Sequence, residues 1–156
     1  MVLRCTSRLL KLLRVGVSSL VVTPPSGDDW YANLLYVERR KCLLVVHAGT
    51  LFPVFEPDVR KAELQPIAPF VVALVERALN AEGLPTDTFG ILEPGRVRLA
   101  KTASRSVLGC MNDLAYHCRY GAAVDGGLGR CDVAALNREL RRTIHAPQGY
   151  VPALEL

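Results

Sequence analysis

Hydrophobic and polar positions change their period along the chain. Val2 to Cys5 is a short run that is apolar except at Arg4. Residues 30–37, 42–46 and 51–55 alternate or concentrate aromatic and aliphatic side chains between polar turns. Such runs predict strands, and those after residue 30 predict an antiparallel meander. Pro53 has no N–H group to donate to a neighbouring strand, so its strand is predicted at a sheet edge or as irregular.

Helical spacing follows the meander and also occurs once before it. Apolar residues three and four positions apart predict helices centred near residues 10, 74, 112 and 137. Thr6, Asp132 and either Ser104 or Ser106 are the predicted N-caps, and Gly83 is a predicted left-handed C-cap. Residues 96–100 alternate again and predict a further strand.

Strands mostly precede helices, without regular alternation, and this order is typical of the α+β class. We therefore predict a small, largely antiparallel sheet of three to four strands packed against about four helices. A chain of 156 residues is expected to form a single domain over residues 1–156. The connector over residues 84–95 is rich in turn residues.

Composition supports a globular protein without a membrane span. Half of the residues are hydrophobic, yet no apolar run approaches the ~20 residues that a spanning helix needs. The five cysteines are widely spaced and odd in number, which indicates reduced thiols and a cytoplasmic location. A zinc site from Cys110, His117, Cys118 and Cys131 matches no common ligand spacing, so neither a metal nor another cofactor is expected.

The charge allows an acidic partner without requiring one. The net charge of +4 is carried mainly by arginine, and no dense basic stripe is visible in the sequence. The first acidic residue is Asp28, and the arginines before it also fit a mitochondrial presequence. A first strand followed by an amphipathic helix is the interpretation we favour for this segment.

Six segments of the chain form a recognisable pattern, at residues 4–13, 29–44, 47–52, 100–115, 131–143 and 149–151. Together they resemble a bacterial family known only as a domain of unknown function. The resemblance covers nearly the whole chain in the same order, and it implies a compact, stand-alone bacterial protein without an assigned activity. The segments that carry it are R-C-T-S-R-L-L-K-L-L (4–13), D-W-Y-A-N-L-L-Y-V-E-R-R-K-C-L-L (29–44), H-A-G-T-L-F (47–52), A-K-T-A-S-R-S-V-L-G-C-M-N-D-L-A (100–115), C-D-V-A-A-L-N-R-E-L-R-R-T (131–143) and G-Y-V (149–151).

The most chemically suggestive stretch is K-T-A-S-R-S, between a predicted strand and a predicted helix. Free backbone N–H groups and the positive end of the helix dipole lie at such a junction. With two cations and three hydroxyls it predicts a site for phosphate or carboxylate. The alternative is an ordinary helix cap with solvated cations. The predicted anion-binding residues are Lys101, Thr102, Ser104, Arg105 and Ser106.

These features favour a non-catalytic binding or interaction module for phosphate or nucleic-acid backbone. A protein partner is the other class of ligand left open. The competing hypothesis is a small hydrolase or nuclease that uses Asp113 and His117, which are one helical turn apart. Whether the protein is an enzyme stays undecided at this stage.

Three other features have two interpretations each. Trp30 and Tyr31 resemble a base-stacking pair, but strand aromatics are expected in the core. The charged residues 39–41 are expected to be a solvated hairpin tip rather than a phosphate contact. His47 is either a hydrogen-bonded turn residue or a base that completes the hydrolase site.

Overall fold

A computed structural model describes residues 1–143, and within them five strands and four α-helices confirm the α+β class. The predicted features after residue 143 lie outside the described residues. The strands are β1 (Val2–Cys5), β2 (Trp30–Val37), β3 (Arg40–His47), β4 (Pro53–Glu56) and β5 (Arg98–Lys101). The helices are α1 (Ser7–Leu13), α2 (Ile67–Ala81), α3 (Arg105–Val124) and α4 (Val133–Arg142).

The strands form one mixed sheet in the order β4-β3-β2-β1-β5. The antiparallel meander β2-β3-β4 is present, but β1 pairs in parallel with both β2 and β5. The prediction of three to four largely antiparallel strands is therefore wrong in strand number and in the direction of two pairings. Periodicity identifies a strand but not its neighbour, and the connection through α1 is long enough to bring β2 back parallel to β1.

Helices cover both faces of the sheet, because successive strand residues point to opposite sides. One face packs against α1 and α2 and the other against α3 and α4. The predicted core positions of Trp30 and Tyr31 are confirmed, since both are buried on β2. From β2 the first face receives Trp30, Ala32 and Leu34, and the second receives Tyr31, Leu35 and Val37.

Two of the predicted helix caps are present and one is not. The Ser104 hydroxyl accepts a hydrogen bond from the Val107 N–H group at 3.3 Å, and Asp132 caps α4 in the same way at 2.9 Å. Thr6 occupies the N-cap position of α1, but its hydroxyl makes no capping bond. It donates instead to Asn33 Oδ1 on the adjacent strand, at 2.9 Å, so the predicted cap is wrong.

β4 lies at one edge of the sheet, which confirms the predicted edge position of the strand with Pro53. Side chains of α4 cover the edge of β4 that no strand pairs with. Asn137 accepts the N–H bond of Phe55 at 2.8 Å and donates to its carbonyl at 2.9 Å. Arg141 Nε donates to the Pro53 carbonyl at 3.3 Å. Because proline brings no N–H group, these bonds satisfy the outward-facing backbone of the strand and protect it from pairing with another chain.

Candidate anion-binding site

The connection between β5 and α3 spans only residues 102–104, as the anion-site prediction required. Arg105 and Ser106 are exposed at the start of α3, whereas Thr102 and Ser104 are half-buried. The N–H groups of Arg105 and Ser106 have no hydrogen-bond acceptor within residues 1–143. The helix start therefore presents two free amides beside one exposed cation.

The second predicted cation, Lys101, lies on the other side of the sheet. In the β1–β5 register Lys101 is level with Cys5, whose side chain faces the core beneath α1 and α2. Residues level with each other on paired strands point to the same face. Lys101 and Thr102 also line a separate cavity of about 260 Å³ at the end of β5, together with Arg4 and residues 20–23. The structure does not bring Lys101 together with Arg105.

A larger polar cleft, of about 490 Å³, lies beside the carboxyl end of β1, between the start of α1 and α3. We call it the Arg8–Arg119 cleft after its two arginines. Its other polar residues are all neutral, and none of its lining residues is acidic. Such a lining attracts anions and offers them hydrogen-bond donors. The lining residues are Thr6, Ser7, Arg8, Asn33, Leu35, Asn112, Ala115 and Arg119.

The strand order creates this cleft. β1 and β5 are adjacent and parallel, but α1 leaves β1 toward one face and α3 leaves β5 toward the other. Open sheets characteristically bind ligands at the carboxyl ends of strands where connections diverge in this way. Asn33 Oδ1 already accepts a hydrogen bond from the Thr6 hydroxyl, so the side-chain amide nitrogen of Asn33 is the group that can donate to a ligand.

One side of α3 carries polar residues at a spacing of seven. Arg105, Asn112 and Arg119 lie in line, because seven residues fall within about 20° of two full turns. Asn112 and Arg119 line the cleft, and Arg105 extends the same row to the helix start. The cleft and the free amides are thus two ends of one continuous surface on α3.

Sequence reasoning predicted an anion site at the start of α3, but none of its five residues lines the cleft. Arg8 and Ser7 belong to the predicted amphipathic helix and Asn33 to a predicted strand, and the sequence gives none of them a role in a site. The seven-residue spacing of Arg105, Asn112 and Arg119 is the signal in the sequence that could have indicated this surface, because it can be read without knowing any contact. The partners of that row come from residues about a hundred positions earlier, so only the tertiary structure joins them.

The pair proposed for hydrolysis, Asp113 and His117, lies on the exposed side of α3. His117 contacts the ring of Tyr116 edge-on and lines a groove of about 420 Å³ against α4, which Asp113 does not line. Neither residue lines the Arg8–Arg119 cleft. Nothing in this arrangement brings the two residues to a common cleft, and the hydrolase hypothesis stays a prediction.

His47 is buried on the opposite face of the sheet, where its ring stacks on Phe89 at 4.4 Å. Its Nδ1 lies 3.0 Å from the Thr50 hydroxyl and 3.3 Å from the Thr50 backbone nitrogen, and its buried Nε2 has no hydrogen-bond partner within residues 1–143. Burial lowers the pKa of His47 to about 4, and the charges of Asp28 and Asp29 oppose this shift only in part. The position supports the turn-residue interpretation and separates His47 from Asp113 and His117.

The buried neutral His47 predicts a loss of stability in mild acid. The unfolded chain binds the proton near pH 6.5 and the folded chain only near pH 4, so the free energy of unfolding falls as the pH drops between these values. The expected loss between pH 7.5 and 4.5 is roughly 2 to 3 kcal/mol. Urea denaturation of the protein and of His47→Phe at both pH values measures it. Equal losses in the two proteins would contradict the assignment, because the carboxylates are common to both.

The remaining candidate residues do not assemble a further site. Cys110 and Cys118 lie on the buried side of α3 whereas His117 is exposed, so the zinc set weighed above is not brought together. Among residues 1–143 no cluster of three or more His, Cys, Asp or Glu is placed to hold a metal ion. Burial raises the pKa of the Cys5 and Cys118 thiols to about 12, so both are protonated at neutral pH and are poor nucleophiles.

Within the described part of the chain, none of the helices has both the length and the apolar character needed to cross a bilayer.

The chain was compared with known protein families, curated proteins and solved structures. A family model described as "Domain of unknown function (DUF6933)" matches residues 2–156. No curated protein and no solved structure matches the chain.

Proposed function

Because the chain belongs to the DUF6933 family, a domain of unknown function that covers residues 2–156, its name assigns no activity, and we propose a function from geometry. We propose that the protein is a non-catalytic binding module that holds a phosphate-bearing ligand in the Arg8–Arg119 cleft. The observation that carries this proposal is a cleft with two arginines, four neutral polar side chains and no carboxylate.

The chemistry of the lining favours phosphate over a smaller or neutral ligand. Guanidinium groups donate parallel hydrogen bonds to phosphate oxygens, and Arg8 and Arg119 approach from different elements. The side-chain amides of Asn33 and Asn112 supply neutral donors beside them. The free N–H groups at the start of α3 extend the site along the Arg105 row, which unites the predicted corner with the cleft.

We expect the double variant Arg8→Ala/Arg119→Ala to bind a short inorganic polyphosphate at least about 10-fold more weakly than the unsubstituted protein. Each charge-assisted hydrogen bond contributes about 1.5 to 3 kcal/mol. Isothermal titration calorimetry at low salt measures the change, and affinity should fall steeply as salt is added.

Arg39→Ala/Arg142→Ala is the matched control, since it removes the same charge from the hairpin tip and the end of α4. Equal affinities of the two double variants would mean that net charge alone, and not the cleft, binds the anion. Failure of polyphosphate to bind the unsubstituted protein at millimolar concentration would also end the proposal.

The predicted corner is tested with two single variants. Arg105→Ala should weaken polyphosphate binding by a few-fold, because Arg105 is exposed and at the end of the row. Lys101→Ala should leave it unchanged, because Lys101 faces the other side of the sheet. The reverse order of effects would place the anion at the cavity that Lys101 lines.

A further inference from the structure

Two exposed tyrosines of α3 stand beside the row of Arg105, Asn112 and Arg119. Tyr116 and Tyr120 are 65% and 60% exposed, and together they form an aromatic patch of a kind that marks binding surfaces. Their rings are nearly parallel, with an interplanar angle of 14° and centroids 6.4 Å apart. Stacked bases lie about 3.4 Å apart, so a base between two rings needs about 6.8 Å. A small side-chain movement is enough to admit one.

The positive charges next to these rings lie on the side of the arginine row and the cleft. Tyr116 is four residues after Asn112, so at about 100° per residue it lies on the flank of the arginine row. Within α3 there is one acidic side chain, that of Asp113, and there are two arginines, Arg105 and Arg119. On the far side of Tyr120, three carboxylates line the groove against α4, those of Asp125, Asp132 and Glu139. A phosphate chain is therefore expected to follow the arginine row, with its bases turned toward the two rings.

We infer that the outer surface of α3 and the Arg8–Arg119 cleft together bind single-stranded nucleic acid. The arginines contact the phosphates, and Tyr116 and Tyr120 stack on the bases. This inference rests on the proposed function, because it names the class of phosphate-bearing ligand that the cleft holds. A positively charged groove with flanking aromatic rings is the arrangement by which proteins bind single strands without reading their sequence.

A duplex fits this surface less well. Its base faces are covered by stacking within the helix, so the two tyrosines have nothing to contact. Only the phosphate contacts remain, and those are common to any polyanion. The inference therefore predicts an order of affinity in which a single strand binds more tightly than a duplex or an inorganic chain of equal charge.

The experiment compares three fluorescent 12-nucleotide probes by anisotropy: a single strand, the same strand in a duplex, and an abasic strand with the same phosphates. DNA and RNA versions of the single strand are both tested, and tight binding of either supports the inference. We expect the unsubstituted protein to prefer the single strand over the abasic strand by about 10-fold or more. Tyr116→Ala/Tyr120→Ala should abolish this preference and leave polyphosphate binding unchanged.

Tyr36→Ala is the matched control, because Tyr36 is also exposed but belongs to β2. Circular dichroism melting confirms that each variant folds, which is expected for exposed positions. If the tyrosine double variant keeps the preference, or if the abasic strand binds as tightly as the normal one, the inference is overturned. The proposed anion site survives that outcome, since it depends on polyphosphate binding and on Arg8 and Arg119.

Discussion

Replacement of Arg4 by Met is expected to lower the free energy of unfolding by about 3 to 5 kcal/mol. Arg4 is 2% exposed and pairs with the buried carboxylate of Asp29. Its Nη1 donates to the Lys101 carbonyl at 3.0 Å, and its Nη2 donates to the carbonyls of Thr23 and Pro24 at 2.9 Å. Methionine fills a similar volume but leaves one buried charge and three carbonyls without these donors.

The position of Arg4 explains why so large an effect is expected from one residue. It joins β1, the end of β5 and the loop before β2, three segments that are far apart in sequence. Lysine at position 4 keeps the charge but lacks the planar fork, so Arg4→Lys should recover only part of the loss. Urea denaturation followed by the fluorescence of Trp30, the single tryptophan, measures the difference.

Arg98→Ala is the control for this prediction, because Arg98 is exposed on β5 and should change stability by less than about 0.5 kcal/mol. Arg4→Met/Asp29→Leu removes both charges and should be more stable than Arg4→Met alone. A loss below about 1 kcal/mol for Arg4→Met would show that water replaces the missing donors.

Replacement of Asn137 by Leu should lower the free energy of unfolding by about 2 to 4 kcal/mol, because two buried backbone groups of Phe55 lose their hydrogen bonds. Asn137 is 7% exposed, and its amide also donates to the Val133 carbonyl at 3.0 Å. Leucine has the same branched shape and the same number of side-chain heavy atoms, so the change leaves no cavity and tests the hydrogen bonds. Denaturation in urea measures the loss.

The same substitution opens the edge of β4. An exposed strand edge pairs with other chains, so Asn137→Leu should also aggregate at concentrations at which the unsubstituted protein is stable, and light scattering detects this. Arg138→Ala, the neighbouring exposed position on α4, is the control and should do neither. An Asn137→Leu protein of unchanged stability would mean that Phe55 finds other partners.

Much of the fold was predictable because local patterns report on burial. The alternation over residues 30–37 reproduces β2, and the helix predicted from three-and-four spacing near residue 74 is α2, whose middle residue is 74. Caps at Ser104 and Asp132 followed from side-chain chemistry alone. The pairing of β1 with β5 did not follow, because a four-residue strand carries no information about its neighbours.

The candidate site also has a part that depends on local sequence and a part that depends on tertiary contacts. The amino-acid sequence by itself determined the short connection after β5 and the cation and hydroxyls that begin α3, since these depend on neighbouring residues. The seven-residue spacing of Arg105, Asn112 and Arg119 is also present in the sequence, but it indicates a site only once the neighbours of the row are known. Only the tertiary structure decided that Arg8 and Asn33 join this row and that Lys101 does not. The physical reason is that a strand register assigns each side chain to one face of the sheet, and register is set by contacts between distant segments.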